Sequence, residues 1–290
     1  MAKTATGPTA GELARQVAEQ LRAANIENAA LDARSLVAHF AGVTLAELVA
    51  GGGDPIDPVA AETIQQAVLR AASGEPLYRI LGRRAFYGVE LLLTSDTLDP
   101  RPDTETLVDR IIPHARRITA AEGTCKILDL GTGTGAIALA ILTEVDGATA
   151  MGVDISAGAV ETAVSNADAN GLEGRFRAAI SDWFSAVNEK FHIIVSNPPY
   201  IDAVEYAGLS AQVRDFDPKT ALLGGVDGLD AYREIAAYSA GYLIDGGVVG
   251  LEIGYSQREA VTSLFAEHGF RQIECARDLT GHDRALLFNR

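Results

Sequence analysis

The pattern of apolar and polar positions changes near residue 100. Beyond that point, short apolar runs alternate with segments of helical periodicity, which is typical of buried parallel strands joined by crossover helices. These runs predict an α/β, doubly wound fold with a seven-stranded sheet. Residues 279–284 alone separate the last two strands, RQIECARD and ALLFNR, which is too short for a crossover helix. We therefore expect these two strands to pair antiparallel at one edge.

The preceding part of the chain carries signals of helix starts and then of a hairpin. Capping-box spacings and a proline at a first helical position occur in series, at Thr9-x-x-Glu12, Thr44-x-x-Glu47 and Asp57-Pro58. We predict a small helical bundle over residues 1–75. Residues 76–99 are aromatic and β-rich and predict a β-hairpin connector, and residues 100–290 form the α/β domain. The stiff segment PRPDTE, residues 100–105, enters an apolar helix with Asp103 or Thr104 as its cap.

Composition and charge narrow the class of protein. The formal net charge of -15 and the lack of a basic run argue against broad nucleic-acid binding. Cys125 and Cys275 both lie beside apolar runs and are predicted to be buried free thiols, and the five histidines show no metal-ligand spacing. With no leader-like segment or long apolar run, we expect a cytoplasmic protein without a membrane segment. We also expect no bound metal and a monomeric state.

A glycine-rich turn follows the buried strand KILDL, residues 126–130, and leads into a helix. A strand, a glycine turn and a helix in that order bring backbone close to a bound ligand. Because Gly131, Gly133 and Ala136 also satisfy the G-x-G-x-x-A form, a dinucleotide remains an alternative at this point. The candidate cofactor-binding residues of the turn are Gly131, Thr132, Gly133, Thr134 and Gly135.

Three further side chains follow the next two strands. Asp154 comes 23 residues after Gly131 and can accept both ribose hydroxyls, which would serve NAD and S-adenosylmethionine equally. Asp182 and Trp183 follow a predicted strand at Phe176–Ile180 and offer an acceptor for an adenine amino group and a ring to stack on its face.

The segment FHIIVSNPPY, residues 191–200, distinguishes S-adenosylmethionine from NAD as the cofactor. In it, a buried strand ends abruptly in Asn197-Pro198-Pro199-Tyr200. Neither proline can donate to a sheet, so the Asn197 amide and the next carbonyls project past the strand end. Together with the phenol ring they can hold a planar NH2 group. A hydride-transfer site has no need of such a clamp, whereas a methyl donor reacting with a nitrogen does.

These motifs together resemble the HemK/PrmC family of peptide chain release factor N5-glutamine methyltransferases, over almost the whole chain. The resemblance rests on NPPY and on five further segments, AFYG at 85–88, PRPDTE at 100–105, ILDLGTGTGAIALA at 127–140, SDWFSA at 181–186 and ALLGGVDGLDAYR at 221–233. Two residues depart from the family pattern: Asp99 stands where an apolar residue is usual, and Asp217 stands where Glu is common.

The resemblance implies a Rossmann-like class I methyltransferase domain behind a helical substrate-recognition domain. It implies methyl transfer from S-adenosylmethionine to the side-chain amide of the glutamine in the Gly-Gly-Gln tripeptide of release factors. Residues 131–135, Asp154, Asp182, Trp183 and Asn197 would bind the methyl donor. The tetrapeptide at 197–200 would hold the glutamine and carry catalysis.

Three other functions remain to be weighed. An adenine N6 methyltransferase could use the same clamp on a flipped base, but the net charge of -15 disfavours it. Glutamine methylation of a ribosomal protein is disfavoured only by the GTGTG form and the linker motifs. A non-catalytic adaptor that binds release factors is disfavoured because both the donor and acceptor motifs are intact.

Overall fold

The structure, a computed structural model, describes residues 7–50 and 55–290. The chain divides into two compact units, Met1–Gly82 and Arg83–Arg290. No helix in the described part of the chain is long and apolar enough to span a membrane.

The first unit is helical. Thr9 and Thr44 each form the predicted capping box, and the Asp57 side chain caps a helix that begins with Pro58. The amphipathic helices bury their apolar faces against one another, with Val17, Leu36 and Ile64 inaccessible to solvent. The helices are α1 (Ala10–Ala23), α2 (Ala29–Ala41), α3 (Leu45–Val49), α4 (Pro58–Ala72) and α5 (Leu77–Leu81).

Helix α5 lies within residues 76–99, for which the sequence predicts a hairpin. The two strands of that hairpin begin only at Arg83 and pair antiparallel, with Phe86 opposite Val89. Gly82 has φ 65° and ends α5 in the left-handed region, a conformation that a helical extension of the chain cannot continue. The strands are β1 (Arg83–Phe86) and β2 (Val89–Leu92).

The second unit is built on a seven-stranded sheet with the order β5-β4-β3-β6-β7-β9-β8. The first five strands in this order are parallel, and β9 pairs antiparallel with both of its neighbours. The predicted fold class is thus confirmed, with β9 inserted between β7 and the outermost strand β8. The strands are β3 (Cys125–Leu130), β4 (Ala148–Asp154), β5 (Phe176–Ile180), β6 (Phe191–Ser196), β7 (Leu243–Glu252), β8 (Arg271–Arg277) and β9 (Asp283–Asn289).

Helices cover both faces of this sheet, and the apolar core of this unit consists of two clusters of buried residues. Cys125 is buried in one of them and Cys275 is half-buried against the other, and both are free thiols. The helices are α6 (Glu105–Glu122), α7 (Ala136–Glu144), α8 (Ala157–Ala169), α9 (Ala203–Gly208), α10 (Ala211–Arg214), α11 (Asp230–Tyr242) and α12 (Arg258–Glu267).

The strand order reverses between β3 and β6. From β3 the chain runs outward through β4 to β5, and it then returns to place β6 on the other side of β3. The last residues of the two strands, Leu130 and Ser196, are paired, and the Ser196 hydroxyl donates to the Leu130 carbonyl at 2.7 Å. In an open α/β sheet, ligands bind in the crevice at such a switch point. The turns after β3 and β6 therefore meet where a ligand is expected.

Candidate active site

The turn after β3 owes its shape to its glycines. Gly131 has φ 67°, Gly133 φ 54° and Gly135 φ 82°, and side chains other than hydrogen strain this left-handed region. Between them Thr132 points inward, and its hydroxyl donates to the Asp129 carboxylate at 2.8 Å. Gly152 on β4 leaves room for this side chain, because a Cβ there would lie 2.7 Å from Thr132 Oγ1.

Asp129 supports the turn from beneath and has almost no solvent exposure, 1%. Burial raises the pKa of its carboxyl to about 7, although hydrogen bonds from Thr132 and the Ala138 backbone oppose this shift. Among the described residues, Oδ1 of Asp129 has no hydrogen-bond partner. A proton on this carboxyl near neutral pH is therefore consistent with its surroundings.

Asp154, at the end of β4, is fixed by two backbone donors. Its Oδ2 accepts from Gly133 N at 2.9 Å, and its Oδ1 accepts from Ser156 N at 3.0 Å. The cap of α8 is Ser156, whose hydroxyl accepts from Ala159 N, so Asp154 is not needed for that role. The Asp154 carboxylate is thus held against the glycine turn, and each oxygen keeps a second lone pair for another donor.

Trp183 and Asp182 form the outer end of the site, after β5. Trp183 adopts φ 47°, unusual for a residue with a Cβ, and its carbonyl accepts from the Ser181 hydroxyl at 2.7 Å. Asp182 N donates to Ser185 Oγ, so the short turn is closed by side chains while the Asp182 carboxylate remains exposed. These bonds fix the backbone of the turn, and the partly buried indole ring packs against the apolar core cluster beside it.

These residues surround one cavity of about 360 Å³, a volume typical of small-molecule sites. Of the predicted site residues, nine line it: Gly131, Thr132, Gly133, Thr134, Asp154, Asp182, Trp183, Asn197 and Pro199. Within residues 83–290, Gly135, Pro198 and Tyr200 lie outside that lining. Ile155 also lines the cavity and leaves 63% of its surface exposed. A planar base stacked on it would remove that apolar surface from water.

The NPPY turn forms the opposite wall. Asn197 Nδ2 donates to Thr104 Oγ1 at 3.2 Å. Thr104 is the N-cap of α6, one of the two residues predicted for that position. Its side chain makes no capping bond to the described residues, because Thr104 ends a 3-10 turn and has helical backbone angles itself. Its hydroxyl serves the Asn197 amide instead. Pro100 and Thr104 both line the cavity, so the PRPDTE segment is part of the site.

Glycines of the ALLGGVDGLDAYR segment pack directly behind this turn. A Cβ at Gly224 would lie 2.5 Å from the Pro199 carbonyl oxygen, and one at Gly228 would lie 2.3 Å from that of Tyr200. Gln257 completes the contact, since its Nε2 donates to the carbonyls of Tyr200 at 2.9 Å and Gly228 at 3.2 Å. These contacts explain why glycine occurs in that segment.

The Tyr200 ring is half-buried, and its hydroxyl donates to Glu252 Oε1 at 3.3 Å. Glu252 ends β7 and is 1% exposed. Burial raises the pKa of its carboxyl to about 7, opposed by the neighbouring Thr104 hydroxyl and by the charge of Arg284. Among the described residues, its Oε2 has no hydrogen-bond partner. Tyr232 donates to the Glu252 backbone carbonyl at 2.9 Å. A buried carboxyl therefore lies directly behind the NPPY turn.

The two residues that depart from the family pattern meet at one arginine. Arg101 Nη2 contacts Asp217 Oδ2 at 2.6 Å, and its Nη1 lies 3.8 Å from Asp99 Oδ2. Arg84 Nη1 also donates to Asp99 at 3.0 Å. Asp99 and Asp217 thus both contact Arg101. The Asp217 contact ties the PRP segment to the stretch of chain just before Thr220, which lines the cavity.

Sequence reasoning missed several residues that shape the site. Thr104 comes from one segment and Glu252 and Gln257 from another, distant in sequence, and only Thr104 carried a signal, as a helix cap. Asn166 is buried on α8, where its Nδ2 donates to the Thr134 carbonyl at 2.9 Å and its Oδ1 accepts from Leu92 N at 2.7 Å. It links the glycine turn to the hairpin.

The comparisons with known proteins agree with this geometry. A family model for the methyltransferase small domain matches residues 104–212, and one for the PrmC N-terminal domain matches residues 12–82. In structure, the chain is similar to the hMettl16 catalytic domain, solved in complex with MAT2A 3'UTR hairpin 6, with a TM-score of 0.52, 13% identity and coverage of 82% of this chain and 85% of that one. The fold and the domain match define a Rossmann-like class I methyltransferase, a class that uses S-adenosylmethionine.

Curated relatives identify the family. The release factor glutamine methyltransferase of Agrobacterium fabrum is 46% identical over 272 residues, covering 94% of this chain and 94% of the relative. The protein of the same name from Rhodospirillum rubrum is 42% identical, covering 97% of this chain and 85% of the relative. The chain belongs to the release factor glutamine methyltransferase family.

Proposed function

We propose that this protein transfers a methyl group from S-adenosylmethionine to the side-chain amide nitrogen of the glutamine in the Gly-Gly-Gln motif of peptide chain release factors. The observation that carries the proposal is the placement of Asn197 and Pro199 on the wall of the same cavity as Gly131 and Asp154. This lining supports the proposal, because the proposed amide clamp and the proposed methyl-donor site would share one small-molecule volume. Family membership supports this choice of acceptor.

The residues present fit the methyl donor. The Asp154 carboxylate is aimed into the cavity by Gly133 and Ser156 and can accept the ribose hydroxyls. Asp182 and Trp183 would accept from the adenine amino group and stack on its face. The glycine turn, residues 131–135, would approach the amino-acid part of the donor with backbone groups. Asn197 would contact both the donor and the acceptor.

On the acceptor side, the chain must orient a poor nucleophile, because an amide nitrogen shares its lone pair with its carbonyl. Bound S-adenosylmethionine supplies a methyl group activated by the positive sulfur. The Asn197 side-chain oxygen and the Pro198 carbonyl would accept from the glutamine NH2 and stabilise its hydrogens as positive charge develops. Pro199 and Tyr200 stiffen the turn. Fixing both reactants in line can contribute roughly 7 to 11 kcal/mol. The surplus proton would pass to water.

Substrate recognition and location are part of the same proposal. We assign recognition of the release factor to the helical region, predicted as residues 1–75, because its family model is that of the PrmC N-terminal domain. The residue 76–99 segment would connect it to the catalytic part, residues 100–290. We expect the protein to act in the cytoplasm, where translation takes place, as a monomer and without direct binding to nucleic acid.

Mass spectrometry of a release factor after incubation with the protein and S-adenosylmethionine tests this function. We expect a gain of one methyl group on the peptide that contains Gly-Gly-Gln. Asn197→Ala should lower the single-turnover rate by hundreds-fold, since loss of a comparable transition-state contact costs about 2.7 to 4 kcal/mol. Its binding of S-adenosylmethionine should remain largely intact. Near-parent transfer by this variant would mean that the clamp is assigned wrongly.

Two control acceptors separate the rival functions. Adenine-containing DNA and RNA oligonucleotides test methylation of a flipped base, and a mixture of ribosomal proteins tests another glutamine acceptor. We expect neither to be modified under conditions in which the release factor is. Preferential methylation of either one would replace the proposed substrate.

A further inference from the structure

We propose that Thr104 and Glu252 are positioning residues that fix the orientation of the Asn197 amide, an inference that rests on the proposed methyl transfer. The Asn197 clamp can work in only one of two amide orientations. Its oxygen must face the cavity to accept from the glutamine NH2, whereas its own NH2 there would repel that group. The two orientations have nearly the same shape, so packing alone cannot select between them.

Thr104 makes the selection possible. It is 3% exposed, and its hydroxyl accepts from Asn197 Nδ2 at 3.2 Å and is close enough to the Glu252 carboxyl to lower its pKa. Among the described residues, Glu252 Oε2 is buried and has no hydrogen-bond partner, so it can take a donated proton. A hydroxyl has one proton to donate. When Glu252 is ionised it can only accept, so it would draw the Thr104 proton toward its buried Oε2. The Thr104 oxygen would then accept from Asn197 Nδ2, which lies 3.2 Å away. The Asn197 oxygen is then left to face the cavity.

Glu252 also fixes the other end of the turn. Its Oε1 accepts from the Tyr200 hydroxyl at 3.3 Å, so the proposed Thr104 bond to Oε2 would let one carboxyl act on both the first and the last residue of NPPY. The site is rigid behind it, because Tyr232 and Gln257 hold the Glu252 and Tyr200 carbonyls. Protonated Glu252 could donate to Thr104, which would then be free to donate to Asn197 and permit the unproductive orientation.

This arrangement predicts a pH dependence of transfer. Charged and titratable groups face Glu252 from every side: Asp103 from the 3-10 turn before α6, Arg284 from β9, Tyr200 from the NPPY turn and Tyr232 from α11. Burial raises the pKa of both tyrosines, which stay neutral, and Arg284 favours the ionised carboxyl. Because burial raises the pKa of Glu252 to about 7, the rate of transfer should rise with pH through that region.

The test compares Thr104→Val with Thr104→Ser in the full-length protein. Valine keeps the shape of threonine and removes the hydroxyl, so we expect kcat to fall by tenfold or more, with the dissociation constant of S-adenosylmethionine unchanged. Serine keeps the hydroxyl and should restore most of the lost activity. Thr262→Val is the matched control. Thr262 lies on α12 and is not among the residues that line the cavity, and the substitution removes a hydroxyl that donates to Gln272 Oε1 at 2.8 Å. It should leave kcat unaltered.

Glu252→Gln provides an independent measurement. Its amide can donate to Thr104, as protonated Glu252 does, so kcat should be low and the rise with pH should disappear. Failure of the parent protein to methylate a release factor would contradict the proposed function. A parent that transfers methyl while Thr104→Val matches its kcat, or while Glu252→Gln retains the full rise with pH, would overturn the positioning role alone. If Glu252→Gln does not fold, the Thr104 pair still decides the question.

Discussion

Asp154 illustrates at the residue scale how a ligand-binding group is held by the fold. Backbone donors from the glycine turn and from the start of α8 each bind one of its carboxyl oxygens, at 2.9 and 3.0 Å. The sequence predicts the position of this residue, because a carboxylate at the end of the second strand is expected to lie beside the turn. The donors that aim the side chain depend on turn geometry and are visible only in three dimensions.

Asp154→Ala should weaken S-adenosylmethionine binding by about 10- to 100-fold, since a hydrogen bond to a charged group contributes roughly 1.5 to 3 kcal/mol. The ribose hydroxyls lose their shared acceptor. Isothermal titration calorimetry measures the effect, and far-ultraviolet circular dichroism checks the fold. An unaltered dissociation constant would reject the role assigned to this carboxylate.

Asp129 gives a prediction about stability. The carboxyl is buried with a pKa of about 7, whereas in the unfolded chain it titrates near 4. Between these values the folded state binds more protons than the unfolded state, so stability falls as pH rises through this window, by up to about 4 kcal/mol. Asp129→Asn should remove this contribution. As the pH rises from 5 to 7.5, the unfolding free energy of the variant should therefore increase relative to that of the parent.

Urea unfolding at several pH values measures that difference. Glu252 contributes a pH dependence of the same sign in both proteins, so it cancels in the comparison. Parallel curves of stability against pH for parent and variant would show that Asp129 is ionised in the folded protein throughout the range.

At the scale of elements, the sequence predicts the strands and their type well. Apolar runs define the parallel strands β3 to β6, and the short connection before β9 predicts its antiparallel pairing with β8. The insertion of β9 between β7 and β8 was not predicted, because register and order depend on contacts between segments distant in sequence. For the same reason, the sequence did not predict the contacts of Thr104, Glu252 and Gln257, whose hydrogen-bond partners lie on other elements.

Gly228→Ala should test the close contact between the loop before α11 and the NPPY turn. Gly228 has φ 73°, and its new Cβ would lie 2.3 Å from the Tyr200 carbonyl and 2.8 Å from Gln257 Nε2. We expect methyl transfer to fall at least tenfold and stability to fall by about 1 to 3 kcal/mol, since both the backbone and the turn must shift.

Gly241→Ala is the matched control for that variant. It lies on α11, and no described atom lies within 4 Å of a Cβ built there, so alanine should stabilise the helix slightly. Thermal unfolding and single-turnover transfer are measured for both variants. Equal behaviour of the two would show that the turn tolerates displacement at Tyr200.

At the scale of the whole molecule, the formal net charge of -15 and the division into two units bear on how a protein substrate is recognised. An acidic protein gains no general attraction to the phosphate backbone of nucleic acid, so a protein acceptor must be selected by specific contacts. The described residues that line the cavity all belong to Arg83–Arg290, which leaves the helical unit without an assigned role in the proposed methyl transfer. Recognition of the release factor is the function we propose for it.

Deletion of residues 1–82 should therefore separate chemistry from recognition. S-adenosylmethionine binding should be retained, because every described residue that lines the cavity belongs to the second unit. Methylation of an intact release factor should fall by at least about tenfold in kcat/KM, equivalent to ~1.4 kcal/mol of lost recognition. A short peptide containing Gly-Gly-Gln should be methylated equally by the truncated and full-length proteins, since it offers no surface beyond the motif. Cooperative unfolding of the truncated protein must be verified first. Full activity of that protein on the intact release factor would mean that the helical unit contributes structure and not recognition.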